Sequence, residues 1–430
     1  MSEIENGNIP KSRKSYLFKM AAKMAVKQGQ KYLTRNPHSK FTNLLQQAEI
    51  LVSHVGRLKG AAMKAVQTLS VEGYDFLPPE VIEVLERLQS QAPPMPSHIL
   101  KEEIRSQLGN EKFALFEKIS ESPIAAASIG QVYEAIYQSQ PVVIKVQYPG
   151  VAESVDADID TLKRLIKGLL MVTQKKIQVE DLMEEARRIL KLETDYHNEE
   201  KSLILYKSLL KDTDYRVPSV FTEFTTSKVI VLSKEEGLEF SSWLKTNPPL
   251  SEKNKVAKQL LELYIKEFFE NRLVQTDPNP ANFLIDKGQL VLLDFGATVA
   301  FEDSFVKAYQ KLLKSIFSGD PKEVLANVFA MEMLDPRESL ETQEAFVEFL
   351  SYSLKPFDPK LQPFDFSDDQ YSLEVRQEAM RFSRMLKYSA PPKTLIFLHR
   401  KLGGIFMLLK KLGVRADLIP YRDMILNNTY

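Results

Sequence analysis

Apolar residues recur at helical spacing over most of this chain and at strand spacing in a few short runs. The pattern predicts an α+β protein weighted toward helix. Across residues 41–69, Leu44, Leu45, Leu51, Val55, Leu58, Met63 and Val66 mark one helical face. A helix opened by Pro78-Pro79 carries Val81, Val84, Leu85 and Leu88, and the Pro-rich stretch 93–96 ends it. A further helix runs to Leu108. Residues 111–236 are mixed. A small-residue loop at 122–131 leads into a strand, and residues 141–146 (PVVIKV) form a β-branched strand with a lysine inside it. Residues 153–210 read as helix, and 228–233 (KVIVLS) as a strand ending in the crossover Lys234-Glu235-Glu236-Gly237. From 237 onward the pattern is helical again, with an amphipathic helix over 256–269. Later helices are predicted near 303–317, 321–332, 338–353, 370–386 and 391–412, with a Pro- and Phe-rich loop at 356–366. The exception is the apolar run Leu290-Val291-Leu292-Leu293, a short strand. Four segments follow: 1–40, 41–110, 111–236 and 237–430.

Composition narrows the function. At 430 residues, 44% apolar and 27% charged, the chain can bury a large core in two lobes. Its formal net charge is zero, so no global argument for nucleic acid exists. The absence of cysteine excludes disulfides, thiolate metal sites and cysteine catalysis. Residues 1–10 are polar and read as disordered. Residues 11–40 carry nine Lys or Arg and no acid. Lys19, Lys23, Lys27 and Lys31 share one helical face, with Leu17, Met20, Ala21 and Met24 largely on another. Such a helix either lies on an anionic membrane surface or packs its apolar stripe on its own domain. No apolar run is long enough to span a bilayer and no signal peptide opens the chain. The expected location is therefore cytoplasmic or peripheral at an inner membrane.

The candidate chemistry lies at 274–296. Asp277 and Asn282 stand five apart in DPNPAN, and Asp294-Phe295-Gly296 follows the 290–293 strand. A kinase-like site uses this order and spacing, because two carboxylates and an amide oxygen are hard ligands for Mg²⁺ on a nucleotide phosphate. The structural alternative is an Asx-turn cap at Asp277 and a strand-end turn at Asp294. Lys145 in PVVIKV resembles the nucleotide-binding lysine of kinases, about twenty residues after a phosphate-covering loop. The alternative for it is an edge-strand lysine facing water. Glu199 is the first choice of helical partner for Lys145, with Glu193 and Asp195 still open.

Together these motifs resemble the UbiB family of atypical kinase-like proteins, associated with coenzyme Q (ubiquinone) biosynthesis. The likeness runs from about residue 50 to the end. The alanine-rich loop Ala125-Ala126-Ala127-Ser128-Ile129-Gly130-Gln131 stands in for a Gly-rich loop, and Lys145 in VVIKVQYPGV matches the nucleotide lysine. Glu193-x-Asp195 matches the family's Glu-x-Asp motif, and Glu199 its lysine-pairing glutamate. Asp277 and Asn282 in QTDPNPANF and Asp294 in LLDFGAT match the catalytic loop and the metal aspartate. The late stretch Leu398-His399-Arg400-Lys401-Leu402-Gly403-Gly404 also looks like the family. One departure stands out. Lys64 and Gln67 match the family's Lys-x-Gly-Gln signature, but Val66 replaces its glycine. Lys27-Gln28-Gly29-Gln30 fits that signature literally without its context, a coincidence.

The resemblance implies a protein-kinase-like two-lobed fold with a helical N-terminal extension packed over the active site. It implies ATP (or ADP) and Mg²⁺ as cofactors, with the metal on Asn282 and Asp294. Lys145 and the loop Ala125, Ala126, Ala127 and Ser128 would hold the nucleotide, with Glu235 at the crossover. Asp277 would orient or deprotonate the nucleophile. Lys64, Gln67, Glu193 and Asp195 would cover the site where a protein substrate docks, favouring ATP hydrolysis or small-molecule phosphorylation. Anionic membrane lipids and quinone-biosynthesis intermediates or enzymes are the implied partners, with a homodimer also considered and no nucleic acid. A conventional protein or small-molecule kinase and a non-catalytic nucleotide-binding module remain alternatives.

Overall fold

In a computed structural model, the structure describes residues 96–127, 129–173, 180–383, 385–389 and 393–430. The basic segment 11–40, the helices expected before residue 96, and Lys64, Val66, Gln67 and Ser128 lie outside the described residues.

The first lobe is built on a sheet. Helix α1 (Ser97–Phe113) places Leu100, Ile104 and Leu108 on one face at successive turns, all buried. They pack on the sheet formed by β1 (Phe116–Ile119), β2 (Ala125–Ala127), β3 (Gly130–Tyr137), β4 (Gln140–Gln147) and, later in the chain, β5 (Val229–Ser233). The order is β1-β3-β4-β5, all antiparallel, with β2 pairing beside β1 on the same edge of β3. β-branched residues explain β4. Val142, Ile144 and Val146 point to the α1 face, so Val143 and Lys145 point to the other. β5 alternates likewise, Val229 and Val231 toward α1 and Ile230 and Leu232 into the main core. β4 is therefore a central strand, and the edge-strand alternative for Lys145 falls: the residue is 8% exposed.

The alanine-rich stretch differs from the expected loop. Ala125, Ala126 and Ala127 form β2, paired to Val132, Gln131 and Gly130. Within this hairpin Gly130 lies close against β4. A Cβ there would fall 2.0 Å from the Val146 carbonyl oxygen on β4.

The expected helical stretch 153–210 resolves into α2 (Val151–Thr173), α3 (Glu180–Glu193) and α4 (Tyr196–Leu209). After β5 and the short β6 (Leu238–Glu239) come α5 (Phe240–Lys245) and α6 (Leu250–Ile265). A π-helical turn at Lys266–Glu270 ends the amphipathic helix expected to reach residue 269. Then β7 (Leu273–Gln275), β8 (Phe283–Asp286), β9 (Gln289–Leu292) and β10 (Thr298–Ala300) frame the 277–296 stretch. β6-β8-β9 form one small antiparallel sheet and β7-β10 another. Helices α7 (Asp303–Ser318), α8 (Pro321–Ala330), α9 (Leu340–Ser353), α10 (Asp369–Ser383), α11 (Lys393–Leu412) and α12 (Ile419–Asn427) complete the helical lobe. The Pro- and Phe-rich loop becomes two 3₁₀ turns, and β11 (Phe364–Asp365) pairs there with β12 (Arg415–Ala416). No helix among the described residues is long and apolar enough to cross a membrane.

Candidate active site

The site forms where β4, the α3–α4 junction, the 277–282 loop and the 294–296 turn meet. α4 starts because Asp195 caps it: extended backbone, with the carboxylate accepting from the His197 amide at 3.1 Å. That start puts Tyr196 and Glu199 one turn apart on a buried face. Lys145 Nζ donates to Glu199 Oε1 at 2.5 Å and lies 3.6 Å from Asp294 Oδ2. Its ammonium also sits over the Tyr196 ring, 5.6 Å from the centroid. Among Glu193, Asp195 and Glu199, the carboxylate in contact with Lys145 is Glu199; Asp195 is committed to the helix cap.

The electrostatics are lopsided. Burial pulls the Lys145 ammonium down, but the Asp294 and Glu199 carboxylates outweigh it and hold the pKa above the usual lysine value. Burial pushes Glu199 up to about 7, against the pull of Lys145 and with a further push from Asp294. One ammonium thus serves two carboxylates.

Asp294 follows β9 and remains 29% exposed at its side chain. Its Oδ1 accepts from the Gly296 amide at 2.9 Å, so it also makes the turn given as its structural alternative. Phe295 is buried against Tyr206, ring centroids 4.6 Å apart. Glu193, buried, lies along this turn: a Cβ on Gly296 would come 3.6 Å from Glu193 Cγ.

In the 277–282 loop the Asx cap belongs to Asn279, whose Oδ1 accepts from the Ala281 amide at 3.1 Å over the 3₁₀ turn Pro280–Asn282. Asn282 Nδ2 donates to the Asp277 carbonyl at 3.2 Å, and Gln275 Nε2 donates to the same oxygen at 2.8 Å. The Asp277 carboxylate receives Arg400 Nη2 at 3.4 Å. Glu235, at the crossover, accepts from Ser233 Oγ at 2.9 Å and lies 3.5 Å from Arg216 Nε.

A polar cluster under the loop was not foreseen. Glu267, in the π-helical turn, accepts from Tyr206 Oη at 2.8 Å and pairs with Lys401 Nζ at 3.0 Å. Lys401 also donates to Gln275 Oε1 at 3.2 Å. Asn282, Asp294, Glu267, Gln275 and Lys401 line one small cavity. Tyr196 and Tyr206 carried a faint signal, being spaced along the Glu199 face of α4; Arg400, Lys401 and Glu267 carried none of their pairing.

The donor set suits Mg²⁺. Among the described residues no cluster of three or more His, Cys, Asp or Glu forms a metal site. Asn282 and Asp294 offer one amide oxygen and one carboxylate, hard ligands too few to hold a cation alone. A cation that arrived on nucleotide phosphates would take its remaining ligands from them.

Residues 87–328 match the family described as the ABC1 atypical kinase-like domain. The chain is 32% identical over 426 residues to "Atypical kinase COQ8, mitochondrial" of Saccharomyces cerevisiae, covering 95% of this chain and 84% of that one. It is 32% identical over 387 residues to "Probable serine/threonine-protein kinase abkA" of Dictyostelium discoideum, covering 85% of this chain and 68% of that one. In fold it resembles Rv3197 of Mycobacterium tuberculosis, solved with erythromycin. The TM-score is 0.61 at 22% identity, over 91% of this chain and 98% of that one.

Proposed function

The chain belongs to the ABC1 atypical kinase-like family, the UbiB group, and from that premise we propose that it binds Mg-ATP and transfers or hydrolyses its terminal phosphoryl group in support of isoprenoid-quinone biosynthesis at a membrane surface. The observation that carries the reading is the Lys145–Glu199–Asp294 cluster facing the Asp277–Asn282 loop. Lys145, held by Glu199, contacts nucleotide phosphates, and the β2–β3 hairpin covers them. Asn282 and Asp294 hold Mg²⁺, which neutralises phosphate charge when bound. Asp277 orients the attacking oxygen and takes its proton. The work is positioning and charge neutralisation.

Glu193 beside the Asp294–Gly296 turn supports a covered site, and so water or a small molecule as acceptor rather than a protein side chain. Anionic lipids and quinone-pathway intermediates or enzymes are the proposed partners, with residues 11–40 as the peripheral contact and a homodimer as an assembly to be tested. Protein phosphorylation is the competing reading, and the name of the Dictyostelium relative, a probable serine/threonine-protein kinase, favours it.

The test is Mg²⁺-dependent ATP hydrolysis by the full chain, with and without cardiolipin-containing vesicles, beside Asp294→Asn. Vesicle-stimulated turnover that disappears in the variant supports the reading. Turnover that survives Asp294→Asn removes the metal assignment. Nucleotide binding without turnover in every condition removes hydrolysis and leaves a binding module or an acceptor-requiring kinase.

A further inference from the structure

We propose that Arg400 is a catalytic residue: its guanidinium supplies the positive charge at the acceptor end of phosphoryl transfer, a charge the 277–282 loop does not carry itself. The inference deepens the ATP-splitting reading above and rests on it for the identity of the reaction. From Gln275 to Asn282 the sequence is QTDPNPAN, without Lys, Arg or His. Lys145 and its two carboxylates, Glu199 and Asp294, sit at the β4 side. At the Asp277 side a cation arrives from α11, 123 residues later: Arg400 Nη2 lies 3.4 Å from Asp277 Oδ1, with both side chains nearly buried, at 5% and 10% exposure.

The helix is built to bring it there. Gly404 lies one turn after Arg400, on the same face. A Cβ on Gly404 would fall 2.0 Å from Cβ and Cγ of Pro278, so only a glycine lets the α11 backbone seat against the residue after Asp277. Lys401 turns instead into the core, to Glu267 and Gln275, and Gln275 holds the Asp277 carbonyl. Arg400 and Lys401 are thus divided. One meets the reacting carboxylate, and the other fixes the floor under it.

In the step, the bond from the terminal phosphorus to the ADP oxygen breaks and ADP leaves with the electron pair. A bond forms from the acceptor oxygen to phosphorus, and the acceptor's proton passes to the Asp277 carboxylate. Negative charge spreads over the oxygens of the moving phosphoryl group beside Asp277. A desolvated guanidinium in that place stabilises it more than it stabilises bound ATP.

The test uses the full chain and Arg400→Ala, Arg400→Lys and Asp277→Asn, with Mg-ATP for turnover. Mg-ADP with aluminium fluoride serves as a mimic of the moving phosphoryl group. Arg400→Ala is expected to lower kcat by about 100-fold or more. Its Mg-ATP affinity should stay near that of the parent, while the extra affinity for the aluminium fluoride complex over Mg-ADP disappears. Millimolar guanidinium should restore part of the lost turnover, and Arg400→Lys should lie between the two. Parental kcat or parental aluminium fluoride affinity in Arg400→Ala overturns the proposal and leaves the ATP-splitting reading intact. If Arg400→Ala does not fold, Arg400→Lys decides, and parental values in it overturn the proposal. Loss of melting temperature and activity together, with no guanidinium rescue, means Arg400 is structural and also overturns it. A parent chain without turnover removes the hydrolysis reading. Aluminium fluoride affinity that still depends on Arg400 in that chain supports the proposal for a kinase whose acceptor is missing, and affinity that does not depend on it overturns the proposal.

Discussion

Two buried lysines among the described residues pair with glutamates, and the pairs differ in what else touches them. Lys145–Glu199 is 2.5 Å long with side chains 10% and 3% exposed; Lys401–Glu267 is 3.0 Å long with both side chains 1% exposed. Around Lys401 and Glu267 the other partners are neutral: Tyr206 Oη, the Gln275 amide and Gln275 Oε1. Charge there sums to zero. Around Lys145 a second carboxylate, Asp294, stands at 3.6 Å and opens toward solvent, so one ammonium faces two carboxylates. The difference separates an ion pair that is complete in itself from one that shares its cation with a third group. Burial alone does not separate them. A charge-balanced pair has no electrostatic need of a further ion, whereas an unbalanced one beside an opening is prepared for a cation.

Breaking the balanced pair should give the largest change. Lys401→Met leaves Glu267 as a deeply buried carboxylate without its cation, and is expected to cost about 3–5 kcal/mol in urea unfolding. Tyr206 and the Gln275 amide soften this by continuing to donate. A cost under about 1 kcal/mol, the scale of an exposed pair, would show that the cluster is not the staple described. Breaking the unbalanced pair should move activity instead. Lys145→Met is expected to reduce ATP turnover by about 100-fold, ~2.7 kcal/mol in the barrier. Its effect on the melting temperature should be smaller than that of Lys401→Met. The reason is that Glu199, already pushed up to about 7, takes a proton once the ammonium is gone. A melting loss equal to that of Lys401→Met would erase the distinction.

The smallest effect sharpens where α11, which carries Lys401, meets the site. In an ordinary exposed helix interior Gly→Ala stabilises by up to ~1 kcal/mol. Gly403→Ala, with nothing within 4 Å of its new Cβ, should follow that rule. Gly404→Ala, driven against Pro278 at 2.0 Å, should reverse the sign and cost about 1–3 kcal/mol, with loss of turnover. Equal melting temperatures for the two variants would mean that α11 does not seat on the loop.

Several features could be read without a fold because one short segment encodes them. The β-branched alternation of residues 141–146 makes a strand whose lysine shares its face with Val143, and the structure delivers Lys145 there. The spacing from Asp277 to Asn282 and the apolar run before Asp294 likewise mark local geometry, and the late helices fell within a few residues of the expected bounds. The small residues of the alanine-rich stretch carry little strand propensity, so the stretch by itself predicts a loop. Its strand character comes from pairing with β3, a non-local interaction.

By itself, then, the sequence determined the periodic elements, the kinase-like family and the acidic and basic residues that the fold gathers around Lys145. Each is written in neighbours along the chain, where a repeat period or a fixed spacing expresses it. Tertiary structure alone decided that Glu199 rather than Glu193 or Asp195 takes Lys145, that Lys401 goes to Glu267 and Arg400 to Asp277. Those choices join residues 54, 134 and 123 positions apart (199 − 145, 401 − 267 and 400 − 277). Burial sets which charge must be compensated, and packing of α4 and α11 against the loop sets which partner is within reach. Neither quantity exists until the chain has closed on itself.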